Sequence, residues 1–246
     1  MSRGHHPSER RKAKLPAARQ PRGSAAYGTG AYLRNALGRR LAALLFGLGL
    51  SLAIAGPAAA RVPVILAFGD SLTAGYGLPA NDSFPVALQA RLKRMGVTAK
   101  VINGGVSGDT TADGVARLDW ALADKPDLVL LELGANDMLR CIDPAAVRAN
   151  LDTMIRRFAA SGAKVLLLGM RATPGCGPDY QRRFDRIYPE LAQRDHMPLY
   201  PFFLEGVAMK PQFNQADMKH PNAKGVAVLA ARIAPWVARL MRGGAA

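Results

Sequence analysis

From Val62 onward, short apolar runs alternate along the chain with longer amphipathic stretches. Five of the runs are apolar at consecutive positions, which is typical of strands that are buried on both faces of a parallel sheet. The predicted strands are Val62–Phe68, Thr98–Ile102, Asp127–Leu133, Lys164–Met170 and Pro198–Tyr200. The amphipathic stretches predict helices at about Ser83–Met95, Thr111–Ala123, Pro144–Ala160, Asp179–Arg194 and Asn222–Leu240.

This alternation of strands and helices predicts an α/β fold, a three-layer α/β/α sandwich with a five-stranded parallel sheet and right-handed crossovers. Capping and terminating residues stand at several of the predicted helix ends. Asp143 is a suitable N-cap before Pro144 at the first helical position, and Gly96 and Gly162 stand where helices should stop. Ligands of such sheets bind beyond the carboxyl ends of the strands, so functional motifs should directly follow strands.

The segment before the first strand has the pattern of an export signal. The basic pair Arg39-Arg40 precedes an uncharged apolar run, Leu41–Gly56, which is followed by Pro57 and by Ala58–Ala60. This order predicts a secretory signal peptide that is cleaved after Ala60. A membrane anchor is the alternative, although the run is short for a span of about 20 residues. We therefore expect a basic extension with a signal peptide over residues 1–60, one folded domain over residues 61–246, and a periplasmic or secreted product.

The formal net charge of +15 first suggests a nucleic-acid partner. Most of that charge lies in the export segment, because residues 1–60 carry ten Lys and Arg side chains against one Glu and account for +9. The remaining +6 is ordinary for a soluble domain, and no basic run with interleaved aromatic residues accompanies it. We expect no nucleic-acid partner, and no stable membrane span once the signal peptide is removed.

A candidate nucleophile follows the first predicted strand, in the segment Phe68–Gly75 with the sequence FGDSLTAG. A serine at a turn from strand to helix, as Ser71 is here, exposes its hydroxyl and places its N–H at the positive end of the helix. Taken alone, Gly-Asp-Ser could equally be a turn with an N-capping serine. The chain has no G-x-S-x-G motif, so the nucleophile elbow of the α/β-hydrolases is absent.

A serine nucleophile needs a base, and residues 61–246 contain only two histidines, His196 and His220. His196 lies in a charged connection that leads into the fifth strand, so we interpret it as a solvated loop residue. Asp217 precedes His220 by three residues and can orient its Nδ1–H, which leaves Nε2 to accept the Ser71 proton. The alternative is a surface pair that caps the last helix.

Two further segments are placed to stabilise a negatively charged intermediate. Asn103–Thr110 follows the second predicted strand, and Glu132–Asp137 follows the third. A glycine N–H and an asparagine amide can donate to an oxyanion without adding charge. Each segment alone is only a glycine-rich turn. Together with the Ser71 and His220 segments, they supply the separate parts of one acyl-transfer mechanism.

Four segments carry a family resemblance. The sequence resembles the SGNH (GDSL) hydrolases over nearly all of residues 62–240, and it is most similar to their periplasmic branch with thioesterase, arylesterase and lysophospholipase activities. The matching segments are Gly69–Tyr76 (GDSLTAGY), Asn103–Thr110 (NGGVSGDT), Leu133–Asp137 (LGAND) and Asp217–Asn222 (DMKHPN). Two departures, Ala135 for a common second glycine and Met218-Lys219 for a frequent Gly-Ile, affect no residue with a catalytic role in the family.

The resemblance implies a flavodoxin-like SGNH fold and a catalytic role for each matching residue. By it, Ser71 is the nucleophile and a backbone oxyanion donor, Gly108 supplies a second N–H, and Asn136 supplies its side-chain amide. His220 is then the base and Asp217 orients it. The expected substrates are small acyl esters, thioesters or lysophospholipids. We expect a monomer without a cofactor and without a metal, because the two histidines are far apart and two cysteines alone make no structural zinc site.

The two cysteines suggest a cross-link beside this site. Cys141 follows the Asn136 segment, and Cys176 lies in the loop after the fourth predicted strand. Because the third and fourth strands should be neighbours, we hypothesise a disulfide that ties two walls of the acyl pocket. Two unpaired thiols are the alternative. Apolar residues in or near these loops could contact the acyl chain, although they are equally explicable as core: Met138, Leu139, Ile142 and Met170.

Two other functions remain open at the level of sequence. One is a carbohydrate O-deacetylase on the same fold, which would act on an acetylated polymer. The other is an envelope binding module without catalytic activity, against which the intact set of candidate catalytic residues argues.

Overall fold

The computed structural model of the chain describes residues 61–243. The predicted basic extension and signal peptide, residues 1–60, lie outside the described residues. Within residues 61–243, none of the helices has the length and apolar character needed to cross a membrane.

The centre of the molecule is a five-stranded sheet with the order β2-β1-β3-β4-β5, and every pair of neighbouring strands is parallel. The strands are β1 (Val64–Gly69), β2 (Lys100–Gly105), β3 (Leu128–Glu132), β4 (Lys164–Leu168) and β5 (Leu199–Tyr200). The chain leaves β1 toward β2 on one side, and β3 lies on the other side. Ligands of doubly wound sheets bind at such a reversal of strand order.

Helices cover the sheet and complete the predicted three-layer sandwich. The α-helices of the described residues are α1 (Ser71–Ala74), α2 (Phe84–Arg94), α3 (Thr111–Ala116), α4 (Leu118–Ala123), α5 (Ala135–Leu139), α6 (Pro144–Ala160), α7 (Pro178–Asp185), α8 (Ile187–Arg194) and α9 (Ala223–Met241). Helix α9 packs on α2, and α3 packs on α6. The hydrophobic core between the layers includes Phe68 and Phe158, whose rings meet edge to face at 5.3 Å.

Two of the predicted helices are each divided in the structure. The helix predicted over Asp179–Arg194 breaks between α7 and α8, because Pro189 has no N–H for the carbonyl of Asp185 and its ring disfavours a continuous helix there. The helix predicted over Thr111–Ala123 breaks at Arg117, the residue between α3 and α4. Its guanidinium is bonded to acceptors at the edge of the sheet.

Two strand boundaries also differ from the prediction in ways that bear on the site. Strand β1 begins at Val64 rather than Val62, since Pro63 cannot donate to a ladder. Strand β2 continues to Gly105, so Asn103 and Gly104 lie within the strand and not after it. A side chain at Gly104 would approach Leu66 Cδ1 to 2.8 Å, so glycine lets the neighbouring strand come close.

Candidate active site

The turn that carries Ser71 begins where β1 ends. Asp70 caps α1, because its Oδ1 accepts a hydrogen bond of 2.9 Å from the backbone N–H of Leu72. Ser71 is the first residue of this short helix, where a backbone N–H has no intrahelical acceptor. A Cβ at Gly69 would lie 2.2 Å from Thr73 Oγ1, so only glycine lets the chain turn this tightly. The hydroxyl and the N–H of Ser71 therefore lie at the end of the central strand.

The structure brings Ser71, His220 and Asp217 into one hydrogen-bonded chain. Ser71 Oγ lies 3.0 Å from His220 Nε2, and His220 Nδ1 lies 2.6 Å from Asp217 Oδ2. Asp217 Oδ1 accepts from the backbone N–H of His220 at 3.0 Å and from that of Lys219 at 2.9 Å. These contacts lower the pKa of Asp217 to about 2, first through the His220 side chain. An ionised Asp217 makes Nδ1 the donor and leaves Nε2 free to accept the serine proton.

The loop that carries His220 is fixed to the turn of Ser71. The backbone N–H of Gln215 donates to the carbonyl of His220 at 2.8 Å, and its side-chain amide donates to the carbonyl of Tyr76 at 2.7 Å. The rings of Tyr76 and His220 are in contact, with centroids 4.6 Å apart. Within this loop Met218 has a φ of +58°, which few residues other than glycine adopt. The second histidine, His196, is exposed at the end of α8.

The two other predicted donors lie in the loops after β2 and β3. Gly108 has a φ of +91°, a backbone conformation that favours glycine, and it is exposed. Among residues 61–243, the N–H of Gly108 makes no hydrogen bond. Asn136 lies in the first turn of α5, and its Nδ2 donates to the carbonyl of Asp109 at 2.9 Å and to Asp70 Oδ2 at 3.1 Å. Both loops thus reach the edge of the sheet that carries Ser71.

A half-buried arginine that the sequence motifs do not identify joins two of these strand ends. Arg117 donates to Asp109 Oδ2 at 2.6 Å, to the carbonyl of Gly104 at 2.9 Å and to the carbonyl of Gly69 at 2.9 Å. Its guanidinium also lies over the ring of Phe68, 3.8 Å from the centroid. Because one planar group bonds to the ends of β1 and β2 and to the Gly108 loop, it holds their relative positions.

Three acidic side chains are fully buried behind the candidate site: Asp70, Glu132 and Asp137. Burial raises the pKa of Asp70 to about 7 and that of Glu132 well above its usual value. Glu132 Oε2 accepts from Thr73 Oγ1 at 2.7 Å, whereas Glu132 Oε1 has no partner among the described residues. The Asp137 carboxylate accepts two hydrogen bonds from Thr111, one from its backbone N–H at 2.8 Å and one from its hydroxyl at 2.6 Å. Asp70 and Asp137 lie within the matching motifs and Glu132 directly precedes one, but burial is what distinguishes the three acids.

A disulfide joins Cys141 and Cys176 in the structure, with a Cα–Cα distance of 5.6 Å. It links the end of the Asn136 loop to the loop after β4. The four residues considered for acyl contact differ in burial. Met138 and Met170 belong to the core, Ile142 is half-buried and Leu139 is exposed. In the part of the chain that the structure describes, no His, Cys, Asp and Glu side chains form a group of three or more that could hold a metal ion.

Comparison with known proteins places this geometry in a family context. The family model described as GDSL-like Lipase/Acylhydrolase family matches residues 67–228. The chain is 42% identical to an arylesterase of Vibrio mimicus over 178 residues, which is 72% of this chain and 85% of that protein. It is 37% identical to the thioesterase 1/protease 1/lysophospholipase L1 of Escherichia coli over 185 residues, 75% of this chain and 86% of that protein.

A solved structure extends the likeness to three dimensions. The crystal structure of AlinE4, an SGNH-hydrolase family esterase, superimposes with a TM-score of 0.62 at 47% sequence identity. The alignment covers 73% of this chain and 97% of AlinE4. The five-stranded parallel sheet and its flanking helices are therefore those of an SGNH-type α/β fold.

Proposed function

The chain belongs to the GDSL-like lipase/acylhydrolase family, and on that premise we propose that this esterase works through Ser71, His220 and Asp217. The observation that carries the proposal is the unbroken chain of hydrogen bonds from Ser71 Oγ through His220 to Asp217, with contacts of 3.0 and 2.6 Å. Nucleophile and base are within hydrogen-bond reach, and the base is oriented by a third group, as nucleophilic catalysis by serine requires.

In the first half of the reaction, Ser71 Oγ attacks the carbonyl carbon of the ester and His220 Nε2 takes the hydroxyl proton. The carbonyl oxygen becomes an oxyanion, which the N–H groups of Ser71 and Gly108 and the amide of Asn136 stabilise. His220 then gives the proton to the leaving oxygen or sulfur, and the acyl group remains on Ser71. Asp217 stays ionised throughout, which favours the imidazolium that forms at His220.

In the second half, a water molecule takes the place of the leaving group. His220 removes a proton from this water as its oxygen attacks the acyl-enzyme, and then returns the proton to Ser71 Oγ. The products are a carboxylic acid and the free serine. Besides the ester and water, the proposed steps use only side chains and backbone groups of this chain.

The substrates are esters of small acyl or aryl groups, and we extend the range to thioesters and lysophospholipids. The relatives named arylesterase and thioesterase 1/protease 1/lysophospholipase L1 support this range. Exposed apolar side chains on three segments around the site offer contacts for an acyl chain or an aromatic ring, namely Tyr76, Val106 and Leu139. Exposed apolar groups beside a polar site are typical of ligand-binding surfaces.

We further propose that the mature enzyme is a monomer that acts in the periplasm or outside the cell. The apolar run and small-residue site in residues 41–60 support export. The Cys141–Cys176 disulfide also supports it, because such bonds persist in oxidising compartments.

A substrate series on the mature protein tests the proposed function. We expect hydrolysis of p-nitrophenyl butyrate and octanoate, of phenyl acetate and of acyl-CoA thioesters, with the chain-length preference read from kcat/KM. Ser71→Ala measured in parallel controls for contaminating esterases. Activity confined to acetylated sugars would instead indicate a carbohydrate deacetylase, and inactivity toward every ester would indicate a binding module.

A further inference from the structure

Asp70 lies between the nucleophile and the oxyanion donors, yet it is neither the nucleophile nor the orienting acid. Its side chain is fully buried, and each of its two oxygens has a separate partner. Oδ1 accepts from the backbone N–H of Leu72 at 2.9 Å, and Oδ2 accepts from Asn136 Nδ2 at 3.1 Å. One carboxylate thus connects the turn of Ser71, at the end of β1, with α5, which follows β3.

The contacts of Asn136 determine how its amide is oriented. An amide nitrogen has two hydrogens, and those of Asn136 point to Asp70 Oδ2 and to the carbonyl of Asp109. A flipped amide would turn its oxygen toward both acceptors, and opposed acceptors in a buried site are unfavourable. The two acceptors therefore select the orientation in which the nitrogen, and not the oxygen, faces the side of the Gly108 loop. While Asp70 holds one hydrogen, the other can pass from the neutral carbonyl of Asp109 to an oxyanion, which is the stronger acceptor.

We propose that Asp70 is a positioning residue for ester hydrolysis, whose buried carboxylate holds the Asn136 amide in the orientation that donates to the oxyanion. The proposal rests on the proposed function, since it assigns Asp70 an effect on that same reaction through Asn136. Position 70 is an aspartate although burial disfavours its ionised form and raises the pKa of Asp70 to about 7. An acceptor oxygen facing the amide accounts for the use of a carboxylate at this position.

A purely structural role would be the capping of α1, and one substitution separates the two roles. Asparagine caps helices as well as aspartate does, so Asp70→Asn keeps an acceptor for the N–H of Leu72. Its second group would then be an NH₂ that faces the NH₂ of Asn136, where two donors repel. Asp70→Asn therefore removes the contact with Asn136 and retains the cap and the side-chain volume.

The first test is steady-state hydrolysis of p-nitrophenyl butyrate by Asp70→Asn and Asn136→Ala. Loss of one oxyanion donor typically lowers kcat by about 10²–10³-fold, which we expect for Asn136→Ala. We expect Asp70→Asn to lower kcat by roughly 10-fold or more, but by less than Asn136→Ala, with KM changed by less than about twofold. A wild-type kcat in folded Asp70→Asn would overturn the proposal.

The double variant decides whether Asp70 acts through Asn136. In the Asn136→Ala background, Asp70→Asn should change kcat by less than about threefold, since no amide remains to be oriented. Effects that multiply in the double variant would overturn the proposal and leave Asp70 with an independent role. A wild-type enzyme without esterase activity would instead refute the proposed function, so the two failures are distinguishable.

A spectroscopic measurement on the wild-type enzyme keeps the proposal testable if Asp70→Asn does not fold. Asparagine-selective ¹⁵N labelling resolves the side-chain amides, and the signal missing from Asn136→Ala identifies Asn136. We expect its two protons to exchange with water more slowly than those of Asn81, whose side chain lies in an exposed stretch of the surface. Exchange as fast as that of Asn81 would overturn the proposal.

Discussion

At the scale of single residues, the contact between Asp217 and His220 decides the tautomer of the histidine that we propose as the base. The ionised carboxylate, whose pKa is held at about 2 by its hydrogen bonds, accepts from Nδ1 and so directs the lone pair of Nε2 to Ser71. In the proposed mechanism, the same contact also favours the imidazolium that forms in the transition state. The Asp217 carboxylate therefore orients the His220 ring before the reaction and, in the proposed mechanism, stabilises its positive charge during it.

Asp217→Asn tests this role with little change in shape. An amide in place of the carboxylate can pair with the wrong tautomer, in which Nε2 carries the proton, so we expect kcat to fall by about 10³–10⁴-fold. Circular dichroism and the thermal midpoint, measured beside the kinetics, control for folding. Retention of more than a tenth of the wild-type kcat would contradict the assignment of Asp217.

The buried Glu132 leads to a prediction about pH and stability. Burial raises its pKa in the folded protein well above the value of the unfolded chain. Between those two values the folded state binds a proton that the unfolded state has lost, so the free energy of unfolding falls as pH rises from about 4.5. Each unit of difference contributes about 1.4 kcal/mol. Asp70 and Asp137, whose pKa values burial also raises, act in the same direction.

Glu132→Gln removes this titration and keeps the volume of the side chain. We expect the variant to lose less unfolding free energy between pH 5 and pH 8 than the wild type does, whatever its stability at one pH. Urea unfolding at both values measures the difference. Parallel pH profiles for the two proteins would show that Glu132 titrates alike in the folded and unfolded states.

At the scale of elements, strand and helix types followed from the hydrophobic pattern, while their interruptions did not. The consecutive apolar residues of β1 and β3 predicted buried parallel strands, and both are buried in the centre of the sheet. The break before Pro189 had a local signal in the proline itself. The break at Arg117 had none, because it accompanies contacts with residues that lie far away along the chain.

Gly134 offers a test of how α5 positions Asn136. It has a φ of +120°, and a Cβ placed there would lie 2.1 Å from the hydroxyl oxygen of Tyr188. Gly134→Ala should lower the free energy of unfolding by at least about 2 kcal/mol, from backbone strain and from the displaced tyrosine. It should also lower kcat, since α5 begins at the next residue. Urea unfolding and ester hydrolysis measure the two effects.

Tyr188→Phe is the control for this prediction. It removes the hydroxyl that the new methyl group would meet, together with a hydrogen bond of 2.8 Å to the carbonyl of Leu133. If the overlap is real, Gly134→Ala costs less stability in the Tyr188→Phe background than in the wild type. Equal costs in both backgrounds would show that backbone strain alone is responsible.

At the scale of the whole molecule, the disulfide connects loops from two neighbouring strands. It joins residues 35 positions apart, and closing a loop of about that length stabilises the folded state by roughly 2–4 kcal/mol. The paired variant Cys141→Ser/Cys176→Ser should lose about that much unfolding free energy and remain folded, since Cys141 is exposed and Cys176 lies only at the margin of the core. An unchanged urea midpoint would contradict this, and the wild type with a reductant is the matched control.

The candidate site was predictable from sequence to the extent that its residues lie in short motifs after strands. Ser71, Asn136, Asp217 and His220 could be named because each motif follows a strand or lies in the last loop. The supporting residues could not be identified in this way. Arg117 lies outside every motif, and the distinctive property of Asp70 and Glu132 is burial, which depends on the packing of the whole chain.

Covalent labelling identifies the nucleophile of this esterase, which we propose to be Ser71. The mature protein is incubated with a fluorophosphonate, and the adduct is located by peptide mass spectrometry. We expect one adduct per chain, on Ser71, with loss of p-nitrophenyl butyrate hydrolysis in proportion to labelling and no adduct in Ser71→Ala. An adduct on another residue, or Ser71→Ala that keeps most of the hydrolytic activity, would contradict it.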